Sequence, residues 1–359
     1  MFPSKRDRSF AAEWDPQDGV LIAWPHAGTD WAYMLDEVTA CYCGMVQAIL
    51  QDADERVVIV APDGDDVHQA LGPDVYWQRI IIVELPTNDT WVRDYGPITV
   101  FHDGMMKLAD FTFNAWGMKF AADCDNLVTS RLNEQGLFTM PLLNCRDMVL
   151  EGGSIETDGN GTVLTTSCCL TAPNRNDTLS RDRLEHELLQ RLGCVKMLWL
   201  DHGSLAGDDT DGHIDTLARF APGGIILYNG CDDPNDEHFE PLMKMEQQLQ
   251  SMTDANGNHY HLIKLPLPDA CYDEISRLPA TYANFLVTNH QVLVPLYGQA
   301  SKDIQACELI GQAFPGRKVV GIDSRALICQ HGSLHCATMQ LPRGSLRFTH
   351  NDSSKPISS

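Results

Sequence analysis

Apolar residues fall along this chain in two rhythms. Short β-branched runs read as buried strands: GVLIAW from Gly19, RVVIV from Arg56, RIIIVE from Arg79, GTVLTT from Gly161, GIILY from Gly224, VLVP from Val292 and KVVGI from Lys318. Between them, apolar positions recur at helical spacing over Trp31–Gln51, Leu179–Leu192, Glu237–Met252 and Lys302–Phe314, which predicts helices laying one face on a sheet. The alternation predicts an α/β protein. Tight turns at Asp158-Gly159-Asn160-Gly161 and Pro222-Gly223-Gly224 place hairpins among the crossovers, so a purely parallel sheet is not expected. No Pro-, Gly- or Ser-rich linker divides the chain. One domain over 1–346 is expected, followed by a polar, frayed tail from Arg347 to Ser359.

Composition narrows the partners. The 359 residues carry a formal charge of −23, which repels phosphate backbones and anionic membranes and attracts small cations. Neither a secretory leader nor an apolar membrane span is visible, so a cytoplasmic protein that binds neither nucleic acid nor membrane is expected. Twelve cysteines in a long chain without an export signal are expected to be reduced thiols, mostly buried. Cys41 and Cys43, and the adjacent Cys168 and Cys169, lack the spacing of a structural zinc site, and no metal is expected.

Four motifs put reactive or charged side chains beside glycines at predicted strand ends, where loops carry function. They are Trp91-Val92-Arg93-Asp94-Tyr95-Gly96-Pro97, Glu151-Gly152-Gly153, Asp211-Gly212-His213-Ile214-Asp215 and Gly332-Ser333-Leu334-His335-Cys336. Each also has a plain structural reading. Cys336 can be an inert buried thiol, His213 a histidine satisfied by a nearby carboxylate, Asp94 a turn former or the partner of Arg93, Trp91 a core residue, and Glu151 is equally ambiguous. If the local chain is extended, His213 and Asp215 project to one face, whereas His335 points away from Cys336 and is structural. The run Asp208-Asp209-Thr210-Asp211-Gly212 lacks the glycine placement and closing glutamate of a calcium loop.

Chemistry joins the pieces. A guanidinium is planar, always charged and rich in N–H donors, so its recognition calls for carboxylates, a role that suits Asp94 and Asp215. Its resonance makes the central carbon a poor electrophile, and hydrolysis requires a strong nucleophile and a proton donor for departing ammonia. Cys336 and His213 can supply these, with Glu151 orienting the imidazole and Trp91 walling the cation.

At these residues the chain resembles the agmatine deiminase and Porphyromonas-type peptidyl-arginine deiminase family of guanidino-group-modifying enzymes. The resemblance runs from Glu13-Trp14-Asp15-Pro16 and Ala23-Trp24-Pro25 through Asn88-Asp89-Thr90-Trp91-Val92-Arg93-Asp94 and Phe113-Asn114-Ala115-Trp116-Gly117. It continues in Glu151-Gly152-Gly153-Ser154, Pro173-Asn174-Arg175-Asn176 and Asp209-Thr210-Asp211-Gly212-His213-Ile214-Asp215, and ends at Leu334-His335-Cys336. It implies the pentein fold, a five-bladed α/β propeller with pseudo-fivefold symmetry. It also implies Cys336 as nucleophile, His213 as acid/base, Asp94 and Asp215 as guanidinium clamps and Glu151 as partner of His213. No cofactor is implied, the substrate is a small cationic guanidine, and a homodimer is expected by analogy. The family reaction passes through a covalent thiouronium; agmatine would yield ammonia and N-carbamoylputrescine for putrescine synthesis. Three positions depart from the family pattern: Gln330-His331 stands where glycines precede the nucleophile, Met118 replaces a glycine, and Ser167-Cys168 replaces two acids. Arginine or peptidyl-arginine as substrate, amidino transfer to an amine, a non-catalytic binding protein and a cysteine protease are the competing readings.

Overall fold

Every one of the seven apolar runs becomes a strand, and in the computed structural model, which describes residues 9–102 and 104–347, the strands gather into five sheets of three or four strands and one two-stranded ribbon. The tail from residue 348 onward lies outside the described residues, and Arg347, at the boundary, donates its backbone N–H to the carbonyl of Leu137.

The five sheets share one pattern: a strand antiparallel to its neighbour, then a third strand parallel to that neighbour. In the first sheet, Met339–Pro342 runs antiparallel to Gln17–Ala23, which is flanked in parallel by Val57–Ala61 and then Ile80–Glu84. The second consists of Ile98–His102, Met105–Thr112 and Leu142–Val149, with Ser9–Phe10 on its edge. The third is Ile155–Thr157, Thr162–Thr166 and Lys196–Leu200. The fourth is Ala218–Ala221, Ile225–Gly230 and His261–Pro266, and the fifth Leu286–Val287, Gln291–Leu296 and Lys318–Asp323. The hairpin turns at 158–161 and 222–224 make two of the antiparallel pairs, as the sequence predicts.

Each parallel step needs a crossover, and a helix supplies it. Leu35–Gln51 buries Val38, Tyr42, Met45, Val46 and Ile49, the three- and four-residue spacing of a face laid on a sheet. Arg181–Leu192 starts where the Ser180 side chain accepts the Arg183 N–H and stops at Gly193, whose φ of 69° suits a residue without a Cβ. It buries Leu184, Leu188 and Leu192. Phe239–Ser251 and Ala300–Ala313 repeat the arrangement, each within a few residues of its predicted bounds.

The first strands of all five sheets meet a buried ionic network. Arg219, 1% exposed and in Ala218–Ala221, donates through its guanidinium to Glu156 of Ile155–Thr157 and to Glu13, and to the carbonyls of Ala283 and Phe285 (3.1 and 2.9 Å), which lead into Leu286–Val287. Glu13 also accepts from Arg93, ahead of Ile98–His102 (3.3 Å), and from Gln340 of Met339–Pro342 (3.1 Å). Arg93 therefore pairs with Glu13 and not with its neighbour Asp94, which removes one structural reading of that motif. Removing the cation would leave two carboxylates buried against each other, which costs far more than losing an exposed pair. Arg219→Met is expected to lower the unfolding free energy by about 3–5 kcal/mol, read from urea unfolding followed by circular dichroism.

Candidate active site

The segments that enter the first strand of each sheet converge on one buried spot. Asp94 precedes Ile98–His102, Glu151 and Gly153 precede Ile155–Thr157, His213 and Asp215 precede Ala218–Ala221, Asn284 precedes Leu286–Val287, and Cys336 precedes Met339–Pro342. All of these side chains are buried. At the centre is Gly153: a Cβ there would lie 2.7 Å from His213 Nδ1, 2.9 Å from Asp94 Oδ1 and 3.0 Å from Asp215 Oδ2. Only a residue with no side chain lets these three groups approach one another.

Each carboxylate is held by donors. Asp94 accepts the Gly153 N–H on Oδ1 (2.8 Å) and the Trp116 indole N–H on Oδ2 (2.9 Å). Trp116 reaches it from a turn in which Ala115, Trp116, Gly117 and Met118 all have positive φ (52°, 55°, 85° and 68°), one turn of left-handed helix closed by N–H bonds from Met118 and Lys119 to the carbonyls of Asn114 and Ala115. Non-glycine residues adopt that conformation at a cost of roughly 1–2 kcal/mol each. Asp215 accepts on Oδ2 from His335 Nδ1 (2.7 Å) and Asn284 Nδ2 (3.2 Å), while its Oδ1 is buried with no partner. Glu151 takes Arg175 Nε on both oxygens (3.0 Å each) and stands 3.5 Å from His213 Nε2. Arg175 in turn is held by Asp211 (2.7 Å). His213 lies 3.7 Å from Asp94 through Nδ1, and neither ring nitrogen makes a hydrogen bond.

The sulfur of Cys336 lies 3.5 Å from Asp215 Oδ2 and receives Asn284 Nδ2 at 3.2 Å; Asn284 Oδ1 fixes the backbone by accepting the N–H groups of His335 and Cys336 (2.9 and 3.2 Å). Burial, with the charges of Asp215 and Asp94 added, pushes the Cys336 thiol well above its ordinary value. Burial likewise pushes Asp94 up to about 6; His213 pulls against it, and Asp215 and Glu151 add to it. Burial alone would neutralise His213, but the Asp94 carboxylate facing Nδ1, with Glu151 near Nε2, holds its imidazole well above the usual range, which favours the protonated ring. For Asp215, burial is overcome by His335, and its carboxyl stays below the usual value.

Cys336, Asp94 and Trp91 open onto a cavity of about 410 Å3 walled also by Trp116 and Phe120. Trp91 serves both of its readings: it packs against Trp31 at 5.7 Å between ring centroids and also lines the cavity. A Cβ on Gly332 would strike its ring at 2.3 Å. Asp30, Asp89 and Asp209 add carboxylates to the walls, and among the described lining residues there is no lysine or arginine.

Trp91, Asp94, Glu151, His213, Asp215 and Cys336 thus stand in one neighbourhood. Two geometric expectations fail. Residues 334–337 form a turn and not an extended strand, so His335 does not point away from Cys336: both reach Asp215 Oδ2, and His335 clasps Asp215 and Glu13 (2.7 and 2.6 Å). Similarly, Ile214–Thr216 is a 3-10 turn, which brings His213 and Asp215 together by curvature. The run 208–212 is a self-capped loop, Asp208 accepting the N–H groups of Thr210 and Gly212 (3.2 and 2.6 Å). Trp116 and Arg175 lie in quoted motifs but carried no assigned role; Asn284, in Thr281-Tyr282-Ala283-Asn284-Phe285, gave no signal.

A sequence profile described as Porphyromonas-type peptidyl-arginine deiminase matches residues 9–342. The agmatine deiminase of Medicago truncatula is 32% identical over 362 residues, covering 92% of this chain and 95% of that one. A solved Porphyromonas gingivalis chain, provisionally named an arginine deiminase, superposes with a TM-score of 0.90 at 51% identity, covering 95% of this chain and 100% of that one. A Cys-to-Ser variant of C. jejuni agmatine deiminase, solved with substrate bound, gives 0.88 at 36% identity, covering 97% and 99%. Crowding at Gly153 provides a test of the geometry: Gly153→Ala is expected to reduce kcat/KM for guanidine hydrolysis by about 100-fold, equivalent to about 2.7 kcal/mol, with the circular dichroism spectrum retained.

Proposed function

Because the chain belongs to the Porphyromonas-type peptidyl-arginine deiminase family, we propose that it is a hydrolase of guanidino C–N bonds that converts agmatine to N-carbamoylputrescine and ammonia, a step toward putrescine. The observation that carries this reading is the pairing of a buried sulfur with unpartnered buried groups around it: Cys336 Sγ beside Asp215, Asp215 Oδ1 without a donor, and His213 with both ring nitrogens unbonded. A planar guanidinium between Asp94 and Asp215 supplies the N–H donor that Asp215 Oδ1 lacks. We read the five like-patterned sheets as blades of a propeller about the Arg219 network, in one catalytic domain over 1–346.

The electrostatics set the order of events. In the free site the thiol keeps its proton because it is buried and faces two carboxylates. Arrival of the cation offsets that negative charge and the thiol proton is released to solvent, so nucleophile and electrophile form together. The Cys336 thiolate adds to the guanidinium carbon, His213 protonates the departing nitrogen, and ammonia leaves a thiouronium on the sulfur. Water, deprotonated by the now neutral His213, attacks the same carbon; the C–S bond breaks, and the product urea is released with the thiol restored.

The cavity favours an amine at the far end of the substrate. Agmatine carries a second cation there, which meets Asp30, Asp89 and Asp209; arginine would bring a carboxylate to the same wall. Cys336→Ala is expected to abolish ammonia release, and kcat/KM for agmatine to exceed that for arginine and peptidyl-arginine by at least about 100-fold, a difference near 2.7 kcal/mol. Turnover by Cys336→Ala, or preference for arginine, would refute the respective assignment.

Asp89 gives a second handle. Burial above all, with the charges of Asp30 and Asp209 adding, pushes its carboxyl up to about 7, while the Thr90 N–H works against the shift. Protonation as pH falls through that value removes a negative charge from the wall and weakens attraction for a dication. KM for agmatine should therefore rise several-fold between pH 8 and about 6, a range set by titration of that carboxyl, and Asp89→Asn should flatten this dependence in steady-state assays.

A further inference from the structure

His213 faces two ways. Its Nδ1 looks toward Asp94 and the cavity side, its Nε2 toward Glu151 Oε2 at 3.5 Å, and the thiol of Cys169 lies 3.8 Å from that same oxygen. The three donor atoms, one each from Glu151, Cys169 and His213, all lie within 4.8 Å of one another. A tetrahedral zinc ion with bonds of about 2.0–2.3 Å separates its ligand atoms by roughly 3.3–3.7 Å, and Glu151 Oε2 already stands 3.5 Å from His213 Nε2 and 3.8 Å from Cys169 Sγ. The imidazole is 1% exposed and unpartnered at both nitrogens, a buried polar group turned toward the cluster.

The surroundings are those of a metal site. Cys169 is fixed on the helical turn Ser167–Leu170, its N–H on the Thr166 side chain (3.3 Å). Glu151 is oriented by Arg175, whose charge is already neutralised by Asp211. A thiolate, a carboxylate and a neutral imidazole together balance a divalent cation, and soft sulfur with nitrogen selects zinc over magnesium or calcium.

We propose that Glu151, Cys169 and His213 form an inhibitory zinc site behind the active centre. Zn2+ forms bonds to Cys169 Sγ, His213 Nε2 and Glu151 Oε2, displacing the thiol proton and the Nε2 proton of the imidazolium, two protons in all. The metal takes the place of the Nε2 proton on the face away from the cavity. Nδ1 keeps its hydrogen, but a zinc-bound imidazole gives that proton up far less readily than an imidazolium, so the ring is a poor donor to the departing nitrogen and, with Nδ1 occupied, has no lone pair to accept from water. Asp94 lies on the Nδ1 side of the imidazole, and Asp215 meets it at Gly153, so neither carboxylate is taken up by the metal and substrate still binds. Inhibition lowers kcat and leaves KM unchanged. This consequence rests on the acid/base role proposed for His213, whereas the metal site itself does not.

The test uses the full-length chain stripped with EDTA, with Zn2+ in activity assays and Co2+ as the spectroscopic probe. Saturating Zn2+ is expected to lower kcat at least tenfold at constant KM, reversibly with EDTA. Cys169→Ser and Cys169→Ala are expected to retain turnover without zinc and to raise the inhibitory concentration at least tenfold. A thiolate-to-cobalt charge-transfer band is expected in the unsubstituted chain and in Cys336→Ala, and not in the Cys169 variants. Inhibition competitive with agmatine, with the band lost in Cys336→Ala and kept in Cys169→Ser, would place zinc on the nucleophile and overturn the proposal, as would absence of a thiolate band in the unsubstituted chain. A normal band in a chain that releases no ammonia would leave the zinc site standing and remove the deiminase reading.

Discussion

Arg219 ties together the half-buried Glu13, the buried Glu156 and two carbonyls, and the placing of the active-site side chains is built on that knot. Charges this deep are tolerable only in well-made pairs. Here the pairing has a geometric result: the first strands of the five sheets, or the residues leading into them, are tied at one place, and the functional side chains sit a few residues upstream of those strands. His335 joins the two layers by bonding Glu13 on one side and Asp215 on the other. A displacement of the knot would be passed through one imidazole to the carboxylate that faces the nucleophile.

The site above it is built on an excess of negative charge held in place by donors. Asp94 and Asp215 crowd around one glycine, Glu151 stands behind His213, and each carboxylate is kept by specific partners: Trp116 and Gly153 for Asp94, Arg175 for Glu151, His335 and Asn284 for Asp215. Such a site is poorly satisfied by itself and well satisfied by a flat cation. On the proposed mechanism, the burial and charges that keep the Cys336 thiol protonated belong to the same site that binds the cation, which would confine reactivity to the occupied site.

What could be read from the sequence follows from how local each feature is. Gly19 to Trp24 or Arg56 to Val60 announce themselves as strands because burial on both faces leaves a continuous apolar run. Ile155–Thr157 and Leu286–Val287, three and two residues long, are too short to show a period. That Cys336, His213 and the carboxylates come together was legible because guanidinium chemistry calls for those residue types and the family motifs surround them. Asn284 was not, because its bonds to Cys336 and Asp215 cross 52 and 69 positions and an asparagine ahead of a strand looks like any turn residue. The geometry assigned to His335 failed for a related reason: side-chain direction was taken from an extended chain, and a turn at 334–337 reverses it.

The left-handed turn at Ala115–Met118 has a bearing on how the cavity keeps its shape. Three residues with a Cβ occupy a backbone region that disfavours them, and the turn carries Trp116, a wall of the cavity. The sheets lie near their local optimum, whereas this wall is wound against its preferred hand and kept so by the indole's grip on Asp94 and the grip of Lys119 on Asp209 and Asp211. A wall wound this way keeps its shape only while those side-chain bonds outweigh the backbone cost, so the outline of the chamber at Trp116 is set by Asp94, Asp209 and Asp211 rather than by the turn's own preference.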